Sequence, residues 1–272
     1  MLITVNGLVT RSYQTGNHDR VIHLITEENG RLAVMVKGGT SLRSREAASV
    51  TQPFTYGNYE LYRGKGGDLY WLRSGSVTRH FFDVTVDLSR TALAAYLCDV
   101  ATELTDEESG IPETATLLRM LLNTLHALAE TDKPCELIKG VFELRAAALM
   151  GYQPNLTACY RCGDGYPANA YLDVMNGRLV CADCQTALNR LHGRVQEAQA
   201  VEMGERRIIC PLTAATLAAM RYALTAPDRK IFSFSLATDE EIHIFARAAE
   251  TYLLNQLEQD FDTLKFYRSV AD

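Results

Sequence analysis

The stretch VIHLITEENGRLAVMVK, residues 21–37, contains two runs of aliphatic and β-branched residues on either side of Asn29-Gly30. Such runs favour β-strands, and Asn-Gly between them is typical of a hairpin with a type I′ turn, in which both turn residues have positive φ. A second hairpin is marked by the glycines of residues 64–67. Further strand-like runs lie at Leu2–Leu8, Thr55–Arg63 and Asp68–Val77.

Five strands within the first 80 residues leave no room for crossover helices. The sequence therefore predicts a small antiparallel barrel or sandwich. A five-stranded OB-type barrel fits the strand count, with residues 38–53 joining the third strand to the fourth. An SH3-like barrel fits the same pattern almost as well.

From Phe81 onward the apolar residues follow a helical period. Apolar side chains recur every three or four positions in three stretches, residues 93–104, 117–128 and 137–149. Another helix is predicted to begin behind Thr213 as its N-cap, and a further one over Asp239–Leu257, whose acidic start suits a helix N-terminus. We interpret the apolar stripes as the core of a helical bundle.

The most specific local pattern is Cys159-Tyr-Arg-Cys162 followed, after eighteen residues, by Cys181-Ala-Asp-Cys184. This spacing is typical of a zinc site, because two thiolates from each pair complete a tetrahedral set. Four thiolates leave no open position for water or substrate, so we predict one structural Zn²⁺ per chain. A disulfide or redox role does not account for two matched pairs. The remaining cysteines are predicted to be buried apolar residues: Cys98, Cys135 and Cys210.

These patterns predict an α+β protein with four regions. They are a barrel domain over residues 1–80, a first helical part over 81–155, a zinc-binding insert over 156–190 and a second helical part over 191–272. The residues between the cysteine pairs are polar, with Gly, Pro and Asn among them. We therefore expect the metal to supply the folding energy that this insert lacks.

Charge is unevenly distributed along the chain. The whole sequence has a formal net charge of −6, but residues 1–82 carry +4 and residues 83–272 carry −10. This asymmetry is typical of a basic binding module attached to an acidic body. Ten basic residues in 82 are also ordinary usage, so the charge distribution alone leaves open whether the N-terminal domain binds a polyanion.

The sequence contains none of the motifs that would predict an enzyme. It lacks the P-loop, His-Glu-x-x-His, Gly-x-Ser-x-Gly and zinc-deaminase patterns, so no catalytic residues are expected. No stretch approaches eighteen consecutive apolar residues, and the first residues do not form a signal peptide. We expect a cytoplasmic protein with no membrane partner.

A set of short motifs occurs in a fixed order and covers nearly the whole chain. Besides the cysteines it comprises Gly7–Arg11, Tyr13, Gly16, Asp19–Ile22, Thr26–Leu32, Val36-Lys37-Gly38, Ser44-Arg45, Gln52-Pro53-Phe54, Glu60–Gly64, Phe142-Glu-Leu-Arg145 and Leu149–Pro154. Together these motifs resemble the RecO family of bacterial recombination mediator proteins. In one departure, Gly39-Thr40-Ser41 stands where family members commonly carry arginines, so this loop is less basic here.

The resemblance implies an N-terminal OB fold, a helical domain and a zinc-binding insert, the last present in only part of the family. It also implies a nucleoid-associated role in DNA repair and recombination. Family members bind single- and double-stranded DNA and anneal complementary strands. With RecR they help to load RecA onto DNA coated by single-stranded-DNA-binding protein.

Cations on or beside the 38–53 segment and along the last two strands can contact phosphates without reading bases. The candidate DNA-binding residues are Lys37, Arg43, Arg45, Arg63, Lys65, Arg73 and Arg79. Four rings are candidates for base stacking: Tyr59, Tyr62, Tyr70 and Trp71. Period-2 alternation places Tyr70 and Trp71 on opposite faces of their strand, and the pattern does not decide which face is the core.

Two other classes of function remain open. The first is a sequence-specific regulator that reads DNA with the zinc segment, and the second is an adaptor that binds only proteins. The regulator is disfavoured because the insert is not basic: its arginines are balanced by Asp164 and Asp173. Salt-dependent DNA binding without sequence preference would separate a mediator from both.

Overall fold

The computed structural model describes residues 2–16, 18–38, 45–63, 69–107, 112–196 and 208–271, with 45–47 and 191–196 described by their backbone only. The chain forms two compact units. One comprises residues 1–133 and 261–272, and the other comprises residues 134–260. These units are defined by contacts, whereas the four predicted regions follow the type of secondary structure.

The first unit contains a five-stranded barrel. Its strands close in the order β1-β2-β3-β5-β4 and are β1 (Leu2–Thr15), β2 (Asp19–Thr26), β3 (Arg31–Val36), β4 (Thr55–Arg63) and β5 (Tyr70–His80). The α+β class and the OB-type barrel predicted from the sequence are confirmed. Neighbouring strands are antiparallel except β3 and β5, which run parallel. An odd number of strands cannot alternate in direction all the way round a closed barrel, so one parallel pair is required.

The first strand is twice as long as its predicted run because it serves two neighbours. Its first half pairs with β4 and its second half with β2. A register shift between Val9 and Arg11 marks the irregularity, and such bulges bend a strand. The barrel core consists of alternate residues from all five strands, among them Val9, Ile22, Val34, Leu61 and Tyr70.

The predicted hairpin of β2 and β3 is present, but its turn is not type I′. Only Gly30 of the two turn residues has a positive φ, at 65°. Residues 27–30 separate the strands, and Thr26 closes this loop with bonds from its N–H and its hydroxyl to the Gly30 carbonyl, at 3.0 and 2.8 Å. The type I′ prediction is therefore wrong, because a four-residue loop does not need Asn29 in the left-handed region.

Helices complete the first unit. They are α1 (Arg45–Val50), a 3₁₀ turn over Phe82–Thr85, α2 (Leu88–Glu103), α3 (Pro112–Glu130) and, from the end of the chain, α8 (Asp262–Val270). The segment predicted simply to join the third and fourth strands therefore contains a short helix. Its last residue, Val50, is buried and accepts a 2.9 Å hydrogen bond from the hydroxyl of Tyr59 inside the barrel.

The second unit combines helices with a small sheet. Its elements are α4 (Cys135–Leu149), β6 (Asn155–Cys159), β7 (Asn169–Asp173), β8 (Arg178–Cys181), α5 (Ala182–Gln196), β9 (Ile209–Thr213), α6 (Ala214–Thr225) and α7 (Asp239–Leu257). Thr213 caps α6 as predicted: its hydroxyl accepts from the Thr216 N–H at 3.1 Å. No helix of the described ranges is long and apolar enough to cross a membrane.

The segment between the cysteine pairs contributes more to the core than its composition predicts. Leu172, Val174, Leu179 and Val180 are fully buried. The sheet order is β6-β8-β7-β9, so a strand from outside the predicted insert pairs with β7 and extends the sheet. These buried side chains contribute folding energy in addition to that expected from the metal, which the polar composition of the segment did not predict.

Candidate functional site

The sheet of the second unit brings the four predicted cysteines together. Cys159 ends β6 and Cys181 ends β8, and these two strands are neighbours. Cys162 lies in the turn after β6, and Cys184 lies in the first turn of α5. Gly163 reverses the chain after the first pair with a φ of 78°, and its N–H donates to the Cys159 carbonyl at 2.9 Å.

The four sulfur atoms have the spacing of a tetrahedral ligand set. All four Sγ atoms lie within 4.8 Å of one another, and those of Cys162 and Cys181 are 3.7 Å apart. Four sulfurs bound to one ion at about 2.3 Å would be separated by about 3.8 Å. The cluster can therefore hold a metal ion with little change in its geometry.

Backbone groups favour negative charge on one sulfur of the cluster, that of Cys159, whereas burial raises the pKa of Cys181 and a hydrogen bond with the Cys181 side chain raises the pKa of Cys184. Burial raises the pKa of the Cys159 thiol, but three backbone N–H donors lower it more, to about 6. These donors belong to Arg161, Cys162 and Cys181. Because only thiolates bind metal, a sulfur that is already ionised near neutral pH is prepared for that role.

Two arginines hold the loops around the cluster in place. Arg221 of α6 donates to the carbonyls of Leu156 and Gly165, at 2.7 Å each. Arg178 of β8 lies over the ring of Tyr160, 3.8 Å from its centroid. The sequence predicts neither contact, because the partners of Arg221 lie 56 and 65 residues away.

The predicted cation candidates on the barrel have different surroundings. Lys37 is exposed just after β3, and Arg73 is exposed on β5, where Glu60 lies 3.6 Å away. Arg63 ends β4 with its guanidinium 5.3 Å from the centroid of the Tyr70 ring. Arg43 and Lys65 lie outside the described residues, as does the side chain of Arg45.

The Arg79 side chain contacts other side chains of its own unit. It donates to the Glu130 carboxylate and lies 3.0 Å from Nδ1 of His126, both in α3. Two other barrel arginines also contact acids of the helical segment: Arg11 with Asp99 and Arg31 with Glu107. The positive charge of residues 1–82 is therefore partly neutralised within the first unit, which a count along the sequence does not reveal.

The four candidate aromatic residues divide between the inside and the outside of the barrel. Tyr59 and Tyr70 are 0% and 5% exposed and belong to the core, so they cannot stack on bases. Tyr62 is exposed and Trp71 is partly exposed. The core face of β5 is therefore the one that carries Tyr70 and Leu72.

Comparison with known proteins covers both units. The family model described as "Recombination protein O N terminal" matches residues 1–81, and "Recombination protein O C terminal" matches residues 86–265. The chain belongs to the RecO family. A relative in Acetivibrio thermocellus, named DNA repair protein RecO, is 24% identical over 98% of this chain and 97% of its own length. Proteins of the same name in Anaeromyxobacter sp. strain K and Shouchella clausii are 33% and 31% identical, over 69% and 68% of this chain and 72% and 69% of their own lengths.

Membership of the RecO family of DNA repair proteins gives a structural meaning to one of the sequence motifs. In Phe142-Glu-Leu-Arg145 the first three residues are buried in α4. Arg145 donates to the carbonyls of Ala223 and Ala226, at 3.0 and 2.8 Å, where α6 ends. This part of the RecO resemblance therefore lies in residues that hold the second unit together.

Two sequence predictions about single residues need correction. Cys98 and Cys210 are buried as predicted, but Cys135 is only half-buried because it stands at the first turn of α4. Arg45 was predicted to lie on a loop, whereas its backbone belongs to α1.

Proposed function

We propose that this chain is a non-enzymatic mediator of DNA repair and homologous recombination. It binds single- and double-stranded DNA without sequence specificity and anneals complementary strands. With RecR it assists the loading of RecA onto DNA coated by single-stranded-DNA-binding protein. The observation that supports this most is the match of both RecO family models to a chain whose N-terminal unit is an OB-type barrel.

The barrel surface supports the DNA-binding part of the proposal. Lys37 and Arg73 are exposed there, and residues 1–82 carry a net +4. Cations on an exposed surface attract phosphates of any sequence and release counterions, so binding weakens as salt rises. DNA held by its backbone leaves base edges free to pair, as annealing requires.

We propose further that the cysteine cluster holds one structural Zn²⁺. Cys159, Cys162, Cys181 and Cys184 would be its ligands, and the ion would cross-link two strand ends, a turn and a helix start. Thiolates are the ligands that tetrahedral structural zinc prefers, and four of them leave no site for a substrate. The role of the cluster is therefore to stabilise the second unit rather than to catalyse a reaction.

The proposal is tested by binding and annealing with the full-length chain. Fluorescence anisotropy should show binding to unrelated single strands and duplexes with similar affinity, and a loss of affinity as salt increases. Complementary strands coated with single-stranded-DNA-binding protein should anneal faster when the chain is added. A strong preference for one sequence would favour a regulator instead, and no DNA binding at any salt concentration would favour a protein adaptor.

A further inference from the structure

Two aromatic side chains lie side by side on the outside of the barrel. Tyr62 of β4 is 43% exposed, and Trp71 of β5 is partly exposed. They are cross-strand partners, and their rings lie at 22° to each other with centroids 6.5 Å apart. Neither ring fills the core, so the two together form an outward aromatic surface.

This pair belongs to a longer apolar row across four strands. Leu2 of β1 is the partner of Tyr62, and Met35 of β3 is the partner of Trp71. Residues paired across strands point to the same side of a sheet, so these four side chains share the outer face of the barrel. We name them the aromatic row. Contiguous apolar groups exposed to water are typical of binding sites.

Positive charge flanks the aromatic row. Arg73 lies two residues after Trp71 on the same face of β5, and its side chain is 59% exposed. Glu60 lies 3.6 Å from it and neutralises part of its charge. Lys37 is exposed two residues after Met35, just past the end of β3. The surface therefore combines flat rings with cations that complement a polyanion.

We propose that Tyr62 and Trp71 are a base-stacking site for single-stranded DNA, with Arg73 and Lys37 contacting the adjacent phosphates. This inference rests on the DNA binding proposed above, and it adds the strand form and the rings that recognise it. Bases in a duplex are stacked on one another, whereas unpaired bases can lie on an aromatic ring whatever their sequence. An apolar protein segment would not require the exposed cations Arg73 and Lys37 beside the rings.

The single tryptophan of the chain makes this site directly observable. Trp71 is the only tryptophan, so emission excited selectively in tryptophan, and not in the 13 tyrosines, reports on the aromatic row alone. Oligothymidylate should quench this emission, and quenching should saturate together with binding measured by anisotropy. Tyr62→Leu should weaken oligothymidylate binding about tenfold, the equivalent of ~1.4 kcal/mol for one stacked base. Binding of a blunt duplex of the same length should change by less than about twofold, since its phosphate contacts remain.

Two further variants separate stacking from general damage. Tyr62→Phe keeps the ring and should keep the parent affinity. Tyr166→Leu is the matched control, because Tyr166 is 92% exposed with Arg221 5.7 Å from its ring centroid but belongs to the second unit. Its removal should leave oligothymidylate binding unchanged.

The outcomes distinguish this site from the DNA binding on which it rests. If the parent chain binds oligothymidylate without quenching Trp71, the stacking site is wrong and DNA binding stands. Equal losses on single strands and duplexes for Tyr62→Leu would also overturn it. If Tyr62→Leu does not fold, quenching in the unaltered chain still decides. A parent chain that binds no DNA overturns both proposals.

Discussion

The interiors of the two units are built from different chemistry. The barrel core consists of aliphatic side chains and tyrosines, and its candidate functional groups lie on the outer surface. The second unit contains a cysteine cluster, in which Cys159 and Cys181 are buried and Cys162 is exposed. It also contains a buried ion network, in which Lys139 contacts Glu143 at 3.2 Å and Glu250 at 2.8 Å. Surface changes on the barrel are therefore expected to alter binding with little loss of stability. Single changes to the polar interior of the second unit are expected to unfold it.

The largest effect is expected from the cysteine cluster. Replacing Cys159 and Cys162 together with serine removes two proposed metal ligands. In zinc-finger peptides the binding of structural zinc contributes about 10–16 kcal/mol to the free energy of folding. Because the sheet also has buried leucines and valines, the loss here should be smaller but should still unfold the second unit at moderate temperature. Elemental analysis should show a fall from about one zinc per chain to nearly none.

The barrel provides the internal control for that experiment. Trp71 reports on the barrel, so its thermal transition should stay close to that of the parent while circular dichroism shows loss of the second unit. Cys135→Ser, outside the cluster, should keep the metal. If the parent protein is prepared with excess zinc available and still contains well under one zinc per chain, that result would falsify the zinc assignment.

A smaller effect is expected from the buried ion network. Lys139 is 4% exposed and Glu143 is 0% exposed, so Lys139→Met removes an ammonium group from beside a fully buried carboxylate. Breaking such a pair from one side costs about 3–5 kcal/mol, whereas replacing both partners with apolar residues costs much less. Urea unfolding should therefore rank Lys139→Met below the double variant Lys139→Met/Glu143→Leu. The reverse order would show that the ion pair does not determine the stability of α4, which carries Lys139 and Glu143, and of α7, which carries Glu250.

The same network predicts a dependence of stability on alkaline pH. Burial lowers the pKa of Lys139, but the carboxylates of Glu143 and Glu250 raise it more, so the net pKa lies above its usual value. The stabilisation is therefore complete below the ordinary lysine pKa of about 10.4 and is lost as pH rises through the raised pKa. The parent chain should lose stability in that range, and the double apolar variant should lose less.

Local signals were sufficient for elements whose boundaries are marked in the sequence. The strand Thr55–Arg63 is bounded by Pro53 and Gly64, and the helix Asp239–Leu257 begins after Thr238, whose hydroxyl accepts from the Glu241 N–H at 3.2 Å. Both elements have the predicted ends. The cysteine spacing likewise predicted the cluster. Each Cys-x-x-Cys pair is close in sequence, and the pairing of β6 with β8 is enough to bring the two pairs together.

Features that depend on distant partners were missed. The strand β9 has five residues and no distinctive pattern, and it exists because it pairs with β7, about 40 residues earlier. The alternation of residues along β5 did not predict which of its faces is buried, because the pairing of β5 with its neighbours is what places Tyr70 in the barrel core. The pairing of Arg79 with Glu130 spans 51 residues, so charge counting treated both as independent.

The pair of Arg79 and Glu130 is expected to give the smallest change in stability. Comparing Arg79 with the cations at positions 37, 43 and 45 tests which cations of the first 82 residues contact DNA. Changing Lys37, Arg43 and Arg45 together to alanine should flatten the log–log dependence of single-strand affinity on salt by about two units, since each phosphate contact contributes roughly 0.7. Arg79→Ala removes one positive charge, from a residue that contacts Glu130 and His126, so its slope should equal that of the parent rather than flatten by the roughly 0.7 expected for one phosphate contact. Its cost in stability should be at most about 1 kcal/mol, as for other exposed ion pairs. Anisotropy at several salt concentrations measures both slopes. An unchanged slope in the folded triple variant would move the phosphate contacts to Arg63, Lys65 and Arg73, and a flattened slope for Arg79→Ala would show that DNA displaces the Glu130 contact.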